Sequence, residues 1–194
     1  MNIGYKLVLA SNSPRRKELL GGLGLDFETR VMSGIDESYP EGLPVGQIPL
    51  YISRRKAEAY MNTLGRDELL ITADTVVAVD SEILGKPADR ADAVRMLRLL
   101  SGREHQVVTG VSFTTRDRQH SFSVSTDVWF AHLSDEQISY YVDNYRPFDK
   151  AGAYGIQEWI GYVGVERIDG SYFNVVGLPV QRLYSELLQF VSGI

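Results

Sequence analysis

The stretch Ser11-Asn12-Ser13-Pro14-Arg15-Arg16 concentrates residues able to hold an anion. It follows the apolar run Leu7-Val8-Leu9-Ala10 and reads as the start of a helix. Pro14 suits a first helical turn, where its missing N–H would be unpaired anyway. Ser11 or Ser13 could cap that turn. Free N–H groups at such an end favour negative charge, and Arg15 and Arg16 add fork-shaped donors that match phosphate oxygens. Strand-to-helix junctions are also where open α/β proteins bind ligands. A capped surface helix with two ordinary arginines is the plain alternative.

Asp74 interrupts the apolar strand Ile71-Thr72-Ala73-Asp74-Thr75-Val76-Val77. A carboxylate there costs desolvation energy unless it is paired, metal-bound or open to a cleft. It could bind Mg²⁺ with waters completing the shell, take a proton from an attacking water, or bond backbone N–H groups in a structural role. Lys86 in Gly85-Lys86-Pro87 could meet a phosphate or be an ordinary turn lysine. Lys56 lies on the flank of a helix, where its stem can pack while its ammonium reaches outward. Asp36 and Glu37 could supply oxygen ligands, oppose arginines, or simply be solvated. In the run Tyr145 to Gln157 (YRPFDKAGAYGIQ), glycines permit close approach and the Gln157 amide could pair with a nucleobase edge. Such a run could equally be a rigid packed loop. His105, His120 and His132 show no metal-ligand spacing and are expected at strand edges or on the surface.

The elements that must position these groups follow from periodicity and punctuation. Strands are expected at Lys6 to Ala10, Leu25 to Val31 (an edge) and Leu69 to Val79. The last turns at Asp80-Ser81-Glu82 into Ile83-Leu84. His105 to Thr115 and His120 to Leu133 pair around Arg116-Asp117-Arg118, and Tyr162 to Ile168 pairs with Tyr172 to Val176 across Asp169-Gly170. Helices are expected from Pro14 to Leu20, from Gln47 to Leu64 with Ile48, Ile52, Arg55 and Ala59 on one side, and from Asp89 to Leu100. A capping box at Ser134 and Gln137 starts another, and Pro179 opens the last. The order is mixed α/β with several antiparallel hairpins.

Composition bounds the rest. The chain has 194 residues, 44% of them hydrophobic, enough for one large domain or two small lobes. Its formal charge of -5, from 20 Lys+Arg against 25 Asp+Glu, argues against non-specific binding to nucleic acid or acidic membrane. A locally basic cleft for a small anion is compatible with that balance. No cysteine is present, which excludes disulfides, thiolate catalysis and Cys-ligated metal. Met1 to Lys6 lacks the pattern of a signal peptide, and no stretch is long and apolar enough to span a membrane. The cytoplasm is the expected location.

Together these residues resemble the Maf family of nucleoside-triphosphate pyrophosphatases. The resemblance covers most of the chain. Its pieces are Leu9 to Arg16 (LASNSPRR), Thr72 to Val77 (TADTVV), Gly85-Lys86-Pro87, Thr126-Asp127-Val128 and Asp149 to Gln157 (DKAGAYGIQ). It implies a single domain over residues 1–194. The fold implied is a mixed curved sheet flanked by helices, inosine-triphosphatase-like, with a substrate cleft between two lobes. It also implies a homodimer. Arg15, Thr75 and Gln157 resemble the subgroup that hydrolyses dTTP and UTP, not the one associated with 7-methyl-GTP. By resemblance, Asp74 is the proton acceptor, and Ser11, Arg15, Arg16, Lys56 and Lys86 gather around the triphosphate. Glu37 and Asp74 hold a divalent metal, Mg²⁺ with Mn²⁺ as a substitute, while Gln157 and Thr75 select the pyrimidine. A hydrolase of modified nucleotides and a nucleotide-binding regulator without turnover are the competing readings.

Overall fold

A computed structural model describes residues 3–193. Met1 and Asn2, where the expected leaderless N-terminus begins, lie outside the described residues. In chain order the elements are β1 (Lys6–Leu9), α1 (Pro14–Gly21), β2 (Phe27–Thr29), α2 (Ile48–Tyr60), β3 (Glu68–Val79), β4 (Glu82–Leu84) and α3 (Arg90–Leu100). They continue with β5 (Glu104–Thr114), β6 (Gln119–Phe130), α4 (Asp135–Tyr145), α5 (Trp159–Gly164), β7 (Val165–Asp169), α6 (Tyr172–Val176) and α7 (Val180–Ser192). Hydrogen-bonded strands follow the order β2-β1-β3-β5-β6-β7, with β4 on β3. β1 is parallel to both β2 and β3, whereas β4 and β7 are antiparallel to β3 and β6. The sheet is therefore mixed, as expected. Among the described residues no helix is long and apolar enough to cross a membrane.

The chain forms two compact units. The first comprises Met1–Asp74, Thr109–Val124 and Gly177–Ile194; the second comprises Thr75–Val108 and Ser125–Val176. In the first unit β1 carries buried Leu7, Val8 and Leu9 in succession, as a strand covered on both faces must. The period of two along β3 sorts its side chains. Leu69, Ile71 and Ala73 pack with Leu20 of α1 and Leu183, Leu187 and Phe190 of α7, while Leu70 packs with Ala57 and Tyr60 of α2.

The face that α2 buries differs from the expected one. Ile48 and Ile52 are buried, but Arg55 and Ala59 are exposed, and the inward stripe runs through Pro49, Ser53, Ala57 and Tyr60. Apolarity alone misassigns this face because a serine belongs to it. Ser53 Oγ donates to Leu50 O at 2.8 Å and lies 2.8 Å from Ser112 Oγ on β5. Gly110 permits this close approach: a Cβ there would stand 2.4 Å from Leu50 N and from Pro49 C.

In the second unit α3 presents Ala93, Leu97 and Leu100, and α4 presents Ile138, Tyr141 and Val142, to one core with Val77, Leu84, Val107, Val128 and Phe130. Asp89 caps α3, and the Ser134–Gln137 box caps α4 as expected. The hairpin expected at Asp169-Gly170 does not form. β7 pairs with β6, and Tyr172–Val176 is the short helix α6. A short apolar run does not distinguish strand from helix, and here hydrogen bonds of Asn174, one local and two to distant strands, favour the helix. Asn174 N–H donates to Ser171 Oγ at 3.3 Å, and the buried Asn174 amide donates to Val107 O and Thr126 Oγ1, each at 3.0 Å.

Candidate functional site

In the first unit the register of β1 against β3 sets Leu9 opposite Ile71, and Ala10 N–H donates to Ile71 O at 2.9 Å. Beyond this last pair β1 ends and leads into Ser11, while β3 runs on through Asp74. Ser13, not Ser11, caps α1, its Oγ accepting from Arg16 N–H at 3.4 Å, with Pro14 in the first turn. Ser11 is buried and its Oγ accepts from Ser13 N–H at 3.2 Å. Arg15 is half-buried on α1.

Arg16 ties this turn to its surroundings. Its Nε donates to Gly177 O and its guanidinium NH1 to Ala73 O, both at 2.9 Å. Burial pulls the Arg16 pKa below its ordinary value; Asp74 pulls it back up, Arg15 lowers it further and Glu37 raises it. These four charges therefore act on one another.

Asp74 follows the parity of Leu70 and Thr72 and faces α2. Thr72 Oγ1 donates to Ser53 O at 2.7 Å, and one turn along the helix Lys56 Nζ donates to Asp74 Oδ1 at 2.7 Å. Two residues of strand thus match one turn of helix. Both side chains of this pair are only 13% exposed, and Lys56 Nζ also meets Glu37 Oε1 at 3.1 Å. No described residue bonds Asp74 Oδ2. Two carboxylates held on one ammonium suit a hard divalent cation, which takes one or two protein carboxylates and completes its shell with substrate phosphates and water. Among the described residues no group of three or more His, Cys, Asp or Glu forms a closed metal cage. Asp36 turns away from this cluster and accepts from Ser38 N–H and Oγ at 2.9 and 2.8 Å.

The second unit holds Thr75, Lys86 and Gln157. Gly152 N–H donates to Gly85 O at 3.0 Å, which ties the turn bearing Lys86 to the segment leading to Gln157. Gly152 has φ +68°, and a Cβ there would lie 2.9 Å from Val77 Cγ2 on β3. These contacts draw the turn, the segment and the last residues of β3 together. Thr75 is half-buried; Lys86 is exposed, and no described carboxylate pairs with its ammonium. Gln157 Oε1 is buried without a hydrogen-bond partner among the described residues. An unmet acceptor of that kind usually costs about 1–3 kcal/mol and is a place for a ligand's donor.

Of the histidines, His120 and His132 sit where expected, near or at the surface. His105 does not. It is buried on β5 with Nε2 2.7 Å from Tyr154 OH, and burial pushes its pKa down to about 4. Packing against Phe130 and Tyr154 encloses the imidazole, a contact that no spacing in the sequence announces. Tyr141 and Glu158, which meet each other beside the Gln157 turn, also escaped the sequence reading, while Lys150 entered it only within the motif Asp149 to Gln157, with no role of its own.

Residues 6–190 match the family model described as Maf-like protein. A dTTP/UTP pyrophosphatase of Parabacteroides distasonis is 61% identical over 186 residues, covering 96% of each chain. A dTTP/UTP pyrophosphatase of Bacteroides fragilis is 60% identical over 185 residues, covering 95% of this chain and 96% of the relative. Among solved structures, a HAM1 protein from Coxiella burnetii is 15% identical, covers 95% of this chain and 99% of its own, and superposes with a TM-score of 0.50. That last likeness is one of fold alone.

Proposed function

This chain belongs to the Maf-like protein family, and on that premise we propose that it hydrolyses dTTP and UTP to the nucleoside monophosphate and diphosphate. Relatives near 60% identity over nearly the whole chain support the substrate. The observation that carries the chemistry is the Lys56–Asp74 pair: a strand-borne carboxylate clamped through Oδ1 at 2.7 Å, its Oδ2 unbonded by any described residue.

In the proposed reaction a water oxygen attacks the α-phosphorus and its proton passes to Asp74 Oδ2. The bond from the α-phosphorus to the bridging oxygen breaks, and diphosphate leaves. Lys56 holds the carboxylate in one orientation, which spares the reaction that ordering cost. Ser11, Arg15, Arg16, Lys56 and Lys86 are assigned to the triphosphate. Glu37 and Asp74 would hold Mg²⁺ or Mn²⁺, which supplies positive charge to the phosphate oxygens. Gln157 and Thr75 are assigned to the base, with Arg15 marking the subgroup. The unmet Gln157 Oε1 would accept from the N3–H of thymine or uracil while its NH₂ donates to O4. Cytosine presents an acceptor at N3 and an amino group at C4, the opposite pattern.

We further propose that residues 1–194 act as one catalytic domain, in a homodimer, in the cytoplasm, without stable nucleic-acid or membrane partners. With dTTP labelled on the α-phosphate, the expected products are labelled dTMP and diphosphate. Release of dTDP and orthophosphate would overturn the bond assignment. Sedimentation over a concentration series checks the dimer, which a persistent monomer would contradict.

A further inference from the structure

We propose that Tyr141, Glu158 and Lys150 form a clasp that sets the position of Gln157 and thereby the discrimination between pyrimidines. The proposal rests on the assignment of Gln157 to the base. Gln157 sits third in the four-residue turn Gly155-Ile156-Gln157-Glu158, closed by Glu158 N–H donating to Gly155 O at 2.9 Å. Both ends of this turn are gripped from outside it. The fully buried Tyr141 hydroxyl accepts from Gly155 N–H at 3.0 Å and donates to Glu158 Oε2 in a short hydrogen bond. Glu158 Oε1 in turn receives the Lys150 ammonium at 3.0 Å, and Lys150 also meets Asp149 Oδ1 at 2.9 Å.

A lysine side chain only 9% exposed is held by these two carboxylates, and Tyr141 uses its oxygen as both donor and acceptor. Burial and the adjacent Glu158 push the Tyr141 pKa upward, so it stays a donor at physiological pH. Gly155 makes the packing possible. A Cβ there would stand 2.9 Å from Lys150 Cε, 3.0 Å from Glu158 Cδ and 3.1 Å from Gln157 Nε2. The amide that is assigned to read the base therefore lies against the clasp, yet takes no hydrogen bond from it. The clasp fixes the turn without using the Gln157 amide, whose Oε1 stays without a hydrogen-bond partner among the described residues. Loosening it should let the amide rotate or drift, which weakens recognition of a matched base but has little matched contact to lose with a mismatched one.

The test compares kcat and KM for dTTP and CTP in the wild type, Tyr141→Phe and Glu158→Gln, with hydrogen exchange at the Gly155 amide. In Tyr141→Phe the dTTP to CTP ratio of kcat/KM should fall about tenfold, mostly through the KM for dTTP, as expected for sub-ångström misplacement of a recognition group. Gly155 exchange should accelerate. Glu158→Gln keeps an acceptor for Tyr141 but loses the charge that meets Lys150, and should lower the ratio by a smaller factor; it also serves as the reading variant if Tyr141→Phe does not fold. An equal fall for both substrates, or an unchanged ratio, would overturn the clasp as a selectivity device. A wild type that does not prefer dTTP over CTP would instead overturn the assignment of Gln157, and the clasp's role with it.

Discussion

Replacing Gly110 with alanine adds one methyl group where α2 meets β5. That carbon would stand 2.4 Å from Leu50 N and Pro49 C and 2.5 Å from Pro49 O. Every atom it meets is backbone, so no side chain can swing aside. Carbon contacts become comfortable near 3.5 Å, so the start of α2 must retreat by about 1 Å. Overpacking on this scale costs about 1–3 kcal/mol, which lowers Tm by about 3–10 °C in a chain of this length. The catalytic consequence should be larger. α2 carries Ser53, bonded to Ser112 at 2.8 Å, and Lys56, bonded to Asp74 at 2.7 Å. A retreat of that size stretches both bonds, and misplacement by about 1 Å can reduce turnover about 100-fold. Thermal unfolding and diphosphate release together read the two effects. Gly46→Ala is the control, because a Cβ there meets nothing within 4 Å. A Gly110→Ala protein with wild-type Tm and wild-type kcat/KM would refute the claim that this contact positions Lys56.

Three further outcomes are expected. Asp74→Asn should fold and lose turnover by about 10²–10⁴-fold, the usual loss of a general base; near-normal kcat would remove Asp74 from that role. Lys86→Ala should leave Tm unchanged, since no described carboxylate pairs with its ammonium, while kcat/KM for dTTP falls. Stability should also decline as pH drops from 6.5 toward 4. His105, held down to about 4 by burial, stays neutral in the folded state while its unfolded counterpart gains a proton. The stability present above pH 6.5 is then lost by about 3 kcal/mol across that window, and denaturant midpoints in His105→Gln should be flatter between pH 6.5 and 4.5.

Features set by neighbours in the chain were legible before the fold was known. Pro14 with a serine before it marks the start of α1, and Ser134 with Gln137 marks that of α4. A carboxylate in the middle of an apolar strand marked Asp74, and it lies on a lysine already singled out on the helix packed against it. What escaped depends on contacts between distant segments. Ser53 belongs to the buried face of α2 because Ser112 meets its hydroxyl and the missing side chain at Gly110 lets the Pro49–Leu50 backbone come close to β5. Asn174 turns Tyr172–Val176 into a helix by reaching Val107 and Thr126. His105 looked like a strand-edge residue until Tyr154 and Phe130 closed over it. Tyr141 is separated from Gly155 and Glu158 by a helix end and a loop, so no local pattern links them.

The central claim is pyrimidine-selective cleavage between the α- and β-phosphates. One matched panel tests it most directly: dTTP, UTP, CTP, ATP, GTP and 7-methyl-GTP, each with Mg²⁺ and with Mn²⁺, with all products identified. dTTP and UTP should lead, each giving its monophosphate and diphosphate in equal amounts. A lead by 7-methyl-GTP, or turnover of none of the six, would contradict it.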